Sequence, residues 1–306
     1  MHAPRFLVRL VSRPIYKIGL HHRMPARFGR RILALSVLSQ WLPRGTVVRR
    51  IQLAGRPCER TTVGATERPR AVLYLHGGGY TVGSPRLYRA TGAYLAEASS
   101  AVVYNFDYRL APEHPFPAAW EDAVAAFREL VDLHGYEPSR IAIAGDSAGG
   151  GLAAATAITL TEQGFRPGAL ALFSPWTDPV NEDHEIDGDF VTNKAWGRAS
   201  AALYRRGADP RDPRYAPMYG ELDGLPPTLI HLATTEMLRP EILRFADRLE
   251  QAGVEVEIIE HARLWHSVQV LAGTLRGATD AVQDAGAFLR NHLDEPAATE
   301  ADRAAS

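Results

Sequence analysis

From about residue 70 onward, short apolar runs alternate with stretches patterned for helix, and this alternation constrains the fold more than any other feature. The runs span residues 71–75, 101–106, 141–144, 169–174, 228–233 and 254–259. Each is almost continuously apolar, the pattern of a strand covered on both faces. Helical stretches such as 87–98 and 150–160 supply the crossovers that parallel strands need. The prediction is an α/β fold with a mostly parallel central sheet and helices on both faces. Upstream, residues 47–53 alternate like an edge strand. Within residues 1–45, Phe6, Leu7, Leu10 and Val11 form one helical stripe, and Phe28, Ile32, Leu35 and Leu38 form another. Pro14 and Pro25 predict breaks, hence two or three short helices. At 180–220 the alternation stops. That segment is rich in Asp, Pro and Arg, has one helical stretch at Lys194–Arg205, and reads as a lid-type insertion over the sheet's carboxyl edge. The expected organisation is a helical cap segment at 1–45, a catalytic domain at 46–294 and a frayed tail at 295–306.

Charge divides the chain in the same place. Residues 1–58 hold 12 Lys or Arg and no Asp or Glu, while the remainder carries a formal charge of −13. Such a split suggests two parts with different surroundings. The expectation is that the basic residues pair with the acidic body, with contact to an anionic membrane surface as the alternative. No apolar run approaches the roughly 18 residues needed to cross a bilayer. The arginines at 5, 9 and 13 break up any signal-peptide core, so a cytoplasmic protein, at most peripheral to a membrane, is expected. The single cysteine, Cys58, excludes a disulfide framework, an iron–sulfur cluster and a multi-cysteine zinc site. Nucleic acid is not an expected partner, because the basic residues lack a recognition fold. An edge strand near the C-terminus offers pairing with a second copy of the chain, which makes a homodimer the oligomer the sequence allows.

The strongest chemical signal is Gly145-Asp146-Ser147-Ala148-Gly149, a G-x-S-x-G sequence between an apolar run and a helix of small residues. On such a turn a serine hydroxyl is lifted above the sheet's carboxyl edge, and the helix N-terminus aims partial positive charge at it. A helix N-cap serine would be the bland reading. The second signal, His76-Gly77-Gly78-Gly79-Tyr80, directly follows the run 71–75. Backbone N–H groups of Gly77, Gly78 and Gly79, with that of Ala148, predict an oxyanion hole for a tetrahedral intermediate. The loop lacks a Walker lysine and the G-x-G-x-x-G spacing, which argues against nucleotide binding. His76 reads as a residue shaping this loop.

A hydroxyl nucleophile needs a base, and the base needs an orienting carboxylate. The acid is expected after run 228–233 and the base after run 254–259, which assigns Glu236 and His266. Glu241 and Asp178 are rival acids, and His261 is a rival base. His231 reads as a core histidine, and His21, His22, His134 and His184 as surface residues. No metal ligand set is expected.

Together these residues resemble the hormone-sensitive-lipase-like esterases, a branch of the α/β-hydrolase fold. The resemblance spans roughly residues 45–292. It rests on HGGGY at 76–80, Tyr108-Arg109-Leu110-Ala111-Pro112-Glu113 with Pro115-Phe116-Pro117-Ala118-Ala119, GDSAGG at 145–150, and Ser174–Asp178 written SPWTD. It implies a carboxylic ester hydrolase with a Ser-acid-His triad, an N-terminal helical cap, no cofactor, and a small-molecule ester as substrate. Short- to medium-chain acyl esters are expected. Two positions depart from the family pattern: Glu236-Met237-Leu238-Arg239-Pro240 stands where Asp-Pro-Leu-x-Asp is usual, and His266-Ser267-Val268 where His-Gly-Phe is common. A lactone or amide substrate, with Trp265 narrowing the pocket, and a non-catalytic receptor on the same scaffold remain the alternatives.

Overall fold

The computed structural model describes residues 2–35, 40–65, 68–181 and 186–294. Leu38, His184 and the tail at 295–306 lie outside the described residues. Eight strands form one sheet: β1 (Thr46–Leu53), β2 (Arg56–Val63), β3 (Ala71–Leu75), β4 (Val102–Phe106), β5 (Ile141–Asp146), β6 (Ala169–Phe173), β7 (Thr228–Ala233) and β8 (Val256–His261). Their spatial order is β1-β2-β4-β3-β5-β6-β7-β8. From β4 to β8 every neighbouring pair is parallel, and the β1–β2 and β2–β4 pairs are antiparallel. Strands β3 to β7 are buried along their whole length.

Successive residues of each inner strand point to opposite faces, and two cores result. Leu73, Ile143 and Leu172 pack with Phe127 of α4 (Ala118–Asp132), Leu152 of α5 (Ala148–Glu162) and Phe245 of α7 (Arg239–Gln251). Tyr74, Ala144 and Ala171 pack on the other side with Leu95 of α3 (Arg89–Ser99) and Leu289 of α8 (Arg276–Asp294). Each buried leucine contributes about 1.5–3 kcal/mol of transfer free energy. The inner strands are held rigidly by this double covering, and their carboxyl ends form the platform for the site.

Three expectations need revision. Strand β2 was not anticipated: its sequence, RPCERTTV, mixes charge with apolar residues, and its turn uses Ala54 and Gly55, both at positive φ, without the Asn or Asp that marks such turns. Pro14 does not end the first helix. Helix α1 (Arg5–Gly19) runs through it, and α2 (Ala26–Leu33) starts after Pro25. The bond lost at Pro14 would have gone to Leu10, which stands on the water-facing side, where solvent takes its place. Strand β8 also begins two residues later than expected, so His261 is its last residue. The insertion carries α6 (Lys194–Arg205), as expected. Among the described residues no helix is long and apolar enough to cross a membrane.

Candidate active site

Ser147 sits between β5 and α5 with φ 51° and ψ −122°. A non-glycine residue in that conformation costs roughly 1–3 kcal/mol and persists only where the surroundings enforce it. Here the Ser147 N–H donates to Phe173 O at 2.9 Å, and Ser147 O accepts from Trp176 N at 2.8 Å and Gly151 N at 3.0 Å. Gly149 is required because a Cβ there would lie 2.1 Å from Leu75 O. Helix α5 is thereby drawn against the end of β3.

The Ser147 Oγ is 2.9 Å from His266 Nε2, and His266 Nδ1 is 3.2 Å from Glu236 Oε2. Glu236 lies in the turn between β7 and α7, and His266 in the loop after β8. All three side chains are buried. Burial lowers the basicity of the His266 imidazole, but the Glu236 carboxylate outweighs it, with Asp189 and Asp146 adding to the effect, so the net shift is upward from 6.5. Burial raises Glu236 above the usual carboxylate range, and its bond to His266 pulls the other way.

The glycine loop corrects one expectation. The Gly77 N–H donates to Asp146 Oδ1 at 2.8 Å and is not free for an oxyanion. Gly78 and Gly79 carry the next N–H groups, and Ala148, as the first residue of α5, has no intrahelical acceptor for its own. Gly78 adopts φ 122°, and a Cβ there would lie 2.2 Å from Val82 O, so only glycine fits. Asp146 also accepts from Tyr74 OH at 3.1 Å and Tyr88 OH at 3.0 Å. Burial lifts this carboxyl to about 6 against the pull of those bonds. Asp146 therefore ties the glycine loop to the serine turn, a role that sequence reasoning missed. His76 shapes the loop as expected: Nδ1 is 2.8 Å from Gly77 O, the ring stacks on Tyr108 at 4.5 Å, and burial holds its pKa down to about 4.

The rival residues are engaged elsewhere. Glu241 Oε1 accepts from the N–H groups of Thr177 and Asp178 at 2.9 and 3.2 Å, and burial pushes its carboxyl up to about 8. Asp178 accepts from Tyr219 OH at 3.1 Å. His261 Nε2 faces His231 Nδ1 at 2.8 Å, and burial holds His231 neutral with a pKa of about 3. Asp189, unnoticed in the sequence, accepts from Met237 N at 3.1 Å and from the N–H groups of Val191 and Thr192, which fastens the insertion to the Glu236 turn. Trp265 does not narrow the pocket. It packs with Val8, Val268 and Leu271, against Phe190 at 4.7 Å, outside the walls of both cavities.

Two cavities meet at Ser147 and His266. One, of about 440 Å³, runs beneath α6 and is walled by Trp176, Val180, Ala201 and Leu238. The other, of about 50 Å³, is closed by Tyr16 and Leu20 from the end of α1 and its cap, Leu33 of α2, and Val82 and Leu87. Trp196 lines both.

Residues 72–270 match a family described as having the alpha/beta hydrolase fold. A crystal structure of an esterase from the bacterial hormone-sensitive lipase (HSL) family superposes with a TM-score of 0.87 at 35% identity, covering 96% of this chain and 100% of that one. The chain belongs to the α/β hydrolases, in their hormone-sensitive-lipase-like branch. An acetyl-hydrolase of Streptomyces hygroscopicus is 39% identical over 236 residues, 76% of this esterase and 79% of the relative. A carboxylesterase/phospholipase, LipF, of Mycobacterium tuberculosis (strain ATCC 25618 / H37Rv) is 32% identical over 307 residues, 92% and 79%. The esterase is accordingly a serine carboxylesterase/lipase-type hydrolase.

Proposed function

We propose that Ser147 is the nucleophile, His266 the general base and Glu236 the carboxylate that orients and charges it. His266 Nε2 takes the Ser147 proton as Oγ attacks the ester carbonyl. The N–H groups of Gly78, Gly79 and Ala148 receive the developing oxyanion. His266 then returns the proton to the departing alcohol. Water enters along the same path, with His266 again as base, and releases the acid from the acyl-serine. The observation that carries this reading is the hydrogen-bonded chain from Glu236 through His266 to Ser147.

An ester has two arms, and two unequal cavities meet at the nucleophile. At roughly 10–15 Å³ per water-sized atom, the smaller cavity of about 50 Å³ admits a short arm, and the 440 Å³ cavity a longer one. This supports an ester with one short arm, within the short- to medium-chain range. The acetyl-hydrolase relative fits that reading. We assign residues 1–45 to a cap over the catalytic domain at 46–294, because α1 and α2 help to wall the smaller cavity. The test is Ser147→Ala assayed with p-nitrophenyl acetate and butyrate, with mass spectrometry for an organophosphate adduct on the intact enzyme. Turnover is expected to fall by roughly 10⁴- to 10⁶-fold, and the adduct to map to Ser147. Near-normal turnover, or an adduct elsewhere, overturns the assignment.

A further inference from the structure

Helix α1 is amphipathic twice over. Val8, Ser12, Tyr16 and Gly19 form the face buried against the body. On the opposite side Phe6, Leu10, Val11 and Ile18 stand between 52% and 69% exposed, with Leu7 beside them. Phe28 of α2, with Leu35 and Trp41 just beyond it, adds further exposed apolar surface. Scattered single apolar residues on a surface are ordinary, but a whole helix face of them marks a contact with something else.

The charge around this face names its partner. All 12 basic residues of the segment 1–58 are unopposed by any acidic residue of the same segment. Two of them are used internally as expected: Arg30 pairs with Glu113 at 2.7 Å, and Arg56 approaches Asp122 at 3.8 Å. Arg9 lies over the rings of Phe190 and Trp265. Among the described residues no carboxylate pairs with Arg5, Arg13 or Lys17; Arg13 and Lys17 lie along one margin of the apolar face, and the exposed Arg5 stands at the N-terminal end of α1. Apolar side chains at the centre with lysine and arginine at the margin are what an interfacial helix presents to acyl chains and phosphate headgroups. A polyanion without an apolar layer, such as nucleic acid, leaves the central residues unsatisfied.

We propose that the outer face of α1, extended by α2, docks on the surface of an anionic phospholipid bilayer. The same helices contribute Tyr16, Leu20 and Leu33 to the smaller cavity at Ser147, so docking brings the mouth of the site to a lipid–water interface. This inference concerns binding, and it stands apart from the assignment of the catalytic residues.

The experiment is vesicle flotation of the full chain, with phosphatidylcholine vesicles and with vesicles containing about one third phosphatidylglycerol. Each basic residue near an anionic surface adds about fivefold to partitioning, so the phosphatidylglycerol vesicles are expected to bind at least about tenfold more tightly, with the difference shrinking as salt is raised. Leu10→Asp/Val11→Asp is expected to abolish flotation on both vesicle types, and Arg5→Glu/Arg13→Glu to abolish the preference between them. All four positions are exposed and touch neither cavity, so melting temperature and turnover of p-nitrophenyl butyrate are expected to stay at wild-type values, which separates lost docking from lost folding. Failure of the wild type to bind phosphatidylglycerol vesicles, or equal binding by the Leu10→Asp/Val11→Asp variant, overturns the proposal. So does a dimer in sedimentation that this variant dissociates while vesicle binding is unchanged, since a second copy would then cover the face.

Discussion

Replacing Glu236 tests whether this carboxylate serves the base. At the observed 3.2 Å between Glu236 Oε2 and His266 Nδ1, opposite unit charges attract by about 5 kcal/mol at an effective dielectric of about 20. In the active form, where His266 starts neutral, the imidazolium forms only as Ser147 gives up its proton, so this attraction acts mainly in the transition state. Glu236→Gln keeps the shape and removes the charge. At about 1.4 kcal/mol per decade, kcat/KM is expected to fall by roughly 10³- to 10⁴-fold. Glu236→Asp keeps the charge but retracts it by one carbon–carbon bond, to about 4.7 Å. The attraction then falls to about 3.5 kcal/mol, and the expected loss is only about 10- to 30-fold. The pH profile supplies a second reading. His266 is raised above 6.5 because Glu236 outweighs burial. Since the neutral imidazole is the active form, the wild-type acid limb of kcat/KM should have its midpoint above 6.5. In Glu236→Gln burial is left without its main opponent, and that midpoint moves down. The assay is p-nitrophenyl butyrate hydrolysis from pH 5 to 9, with Glu241→Gln and Asp178→Asn as companions that should stay within tenfold of wild type. A Glu236→Gln enzyme within tenfold of wild type, or an acid limb that stays in place, refutes the reasoning.

Trp196 walls both cavities, so Trp196→Ala is expected to merge them and shift the preferred acyl length upward in a panel of p-nitrophenyl esters; an unchanged preference counts against the two-cavity reading. Glu241 is buried, with its carboxyl raised from 4.5 to about 8. A raised carboxyl stabilises the fold fully below its ordinary value, and that contribution is lost as pH climbs toward the folded value, by up to about 4–5 kcal/mol. The melting temperature of wild type relative to Glu241→Gln should therefore fall between pH 5 and 8 and level off above; a constant difference would contradict it.

The central strands were readable because burial on both faces leaves an unbroken apolar run: 71–75 and 228–233 are strands β3 and β7 residue for residue. Strand β2 was not, because it runs antiparallel to both of its neighbours, β1 and β4, near the sheet's edge, and its run mixes apolar residues with Arg56, Arg60 and a Glu59 whose charge is met by Arg89 from α3. The contrast between Glu236 and Glu241, five residues apart, was partly legible: one sits in the turn after β7, the other on a helix that points it back at residues 177–178. Asp146 was invisible for a different reason. It occupies a position where the motif tolerates any residue, and its role depends on Gly77, 69 residues away, and on two tyrosines that no local pattern connects to it. The same bond removed Gly77 from the expected oxyanion donors.

The halves of the site rest on unequal foundations. Ser147 and the glycine loop follow the central strands β5 and β3, and Asp146 braces one against the other. His266 follows β8, an edge strand with a single neighbour and a partly exposed surface. A base must be held within a few tenths of an ångström to act, so the loop bearing His266 needs support from beyond the sheet. That support is the cluster in which Trp265 and Val268, on either side of the histidine, pack with Val8 of α1, with Leu275 just before α8 and with Ala278 in its first turn. Arg9 lies across the Trp265 ring from the same helix. The inner face of α1 thus helps to fix the base while its outer face is left to solvent, and any surface that seats α1 is two contacts, Val8 and Trp265, away from the imidazole.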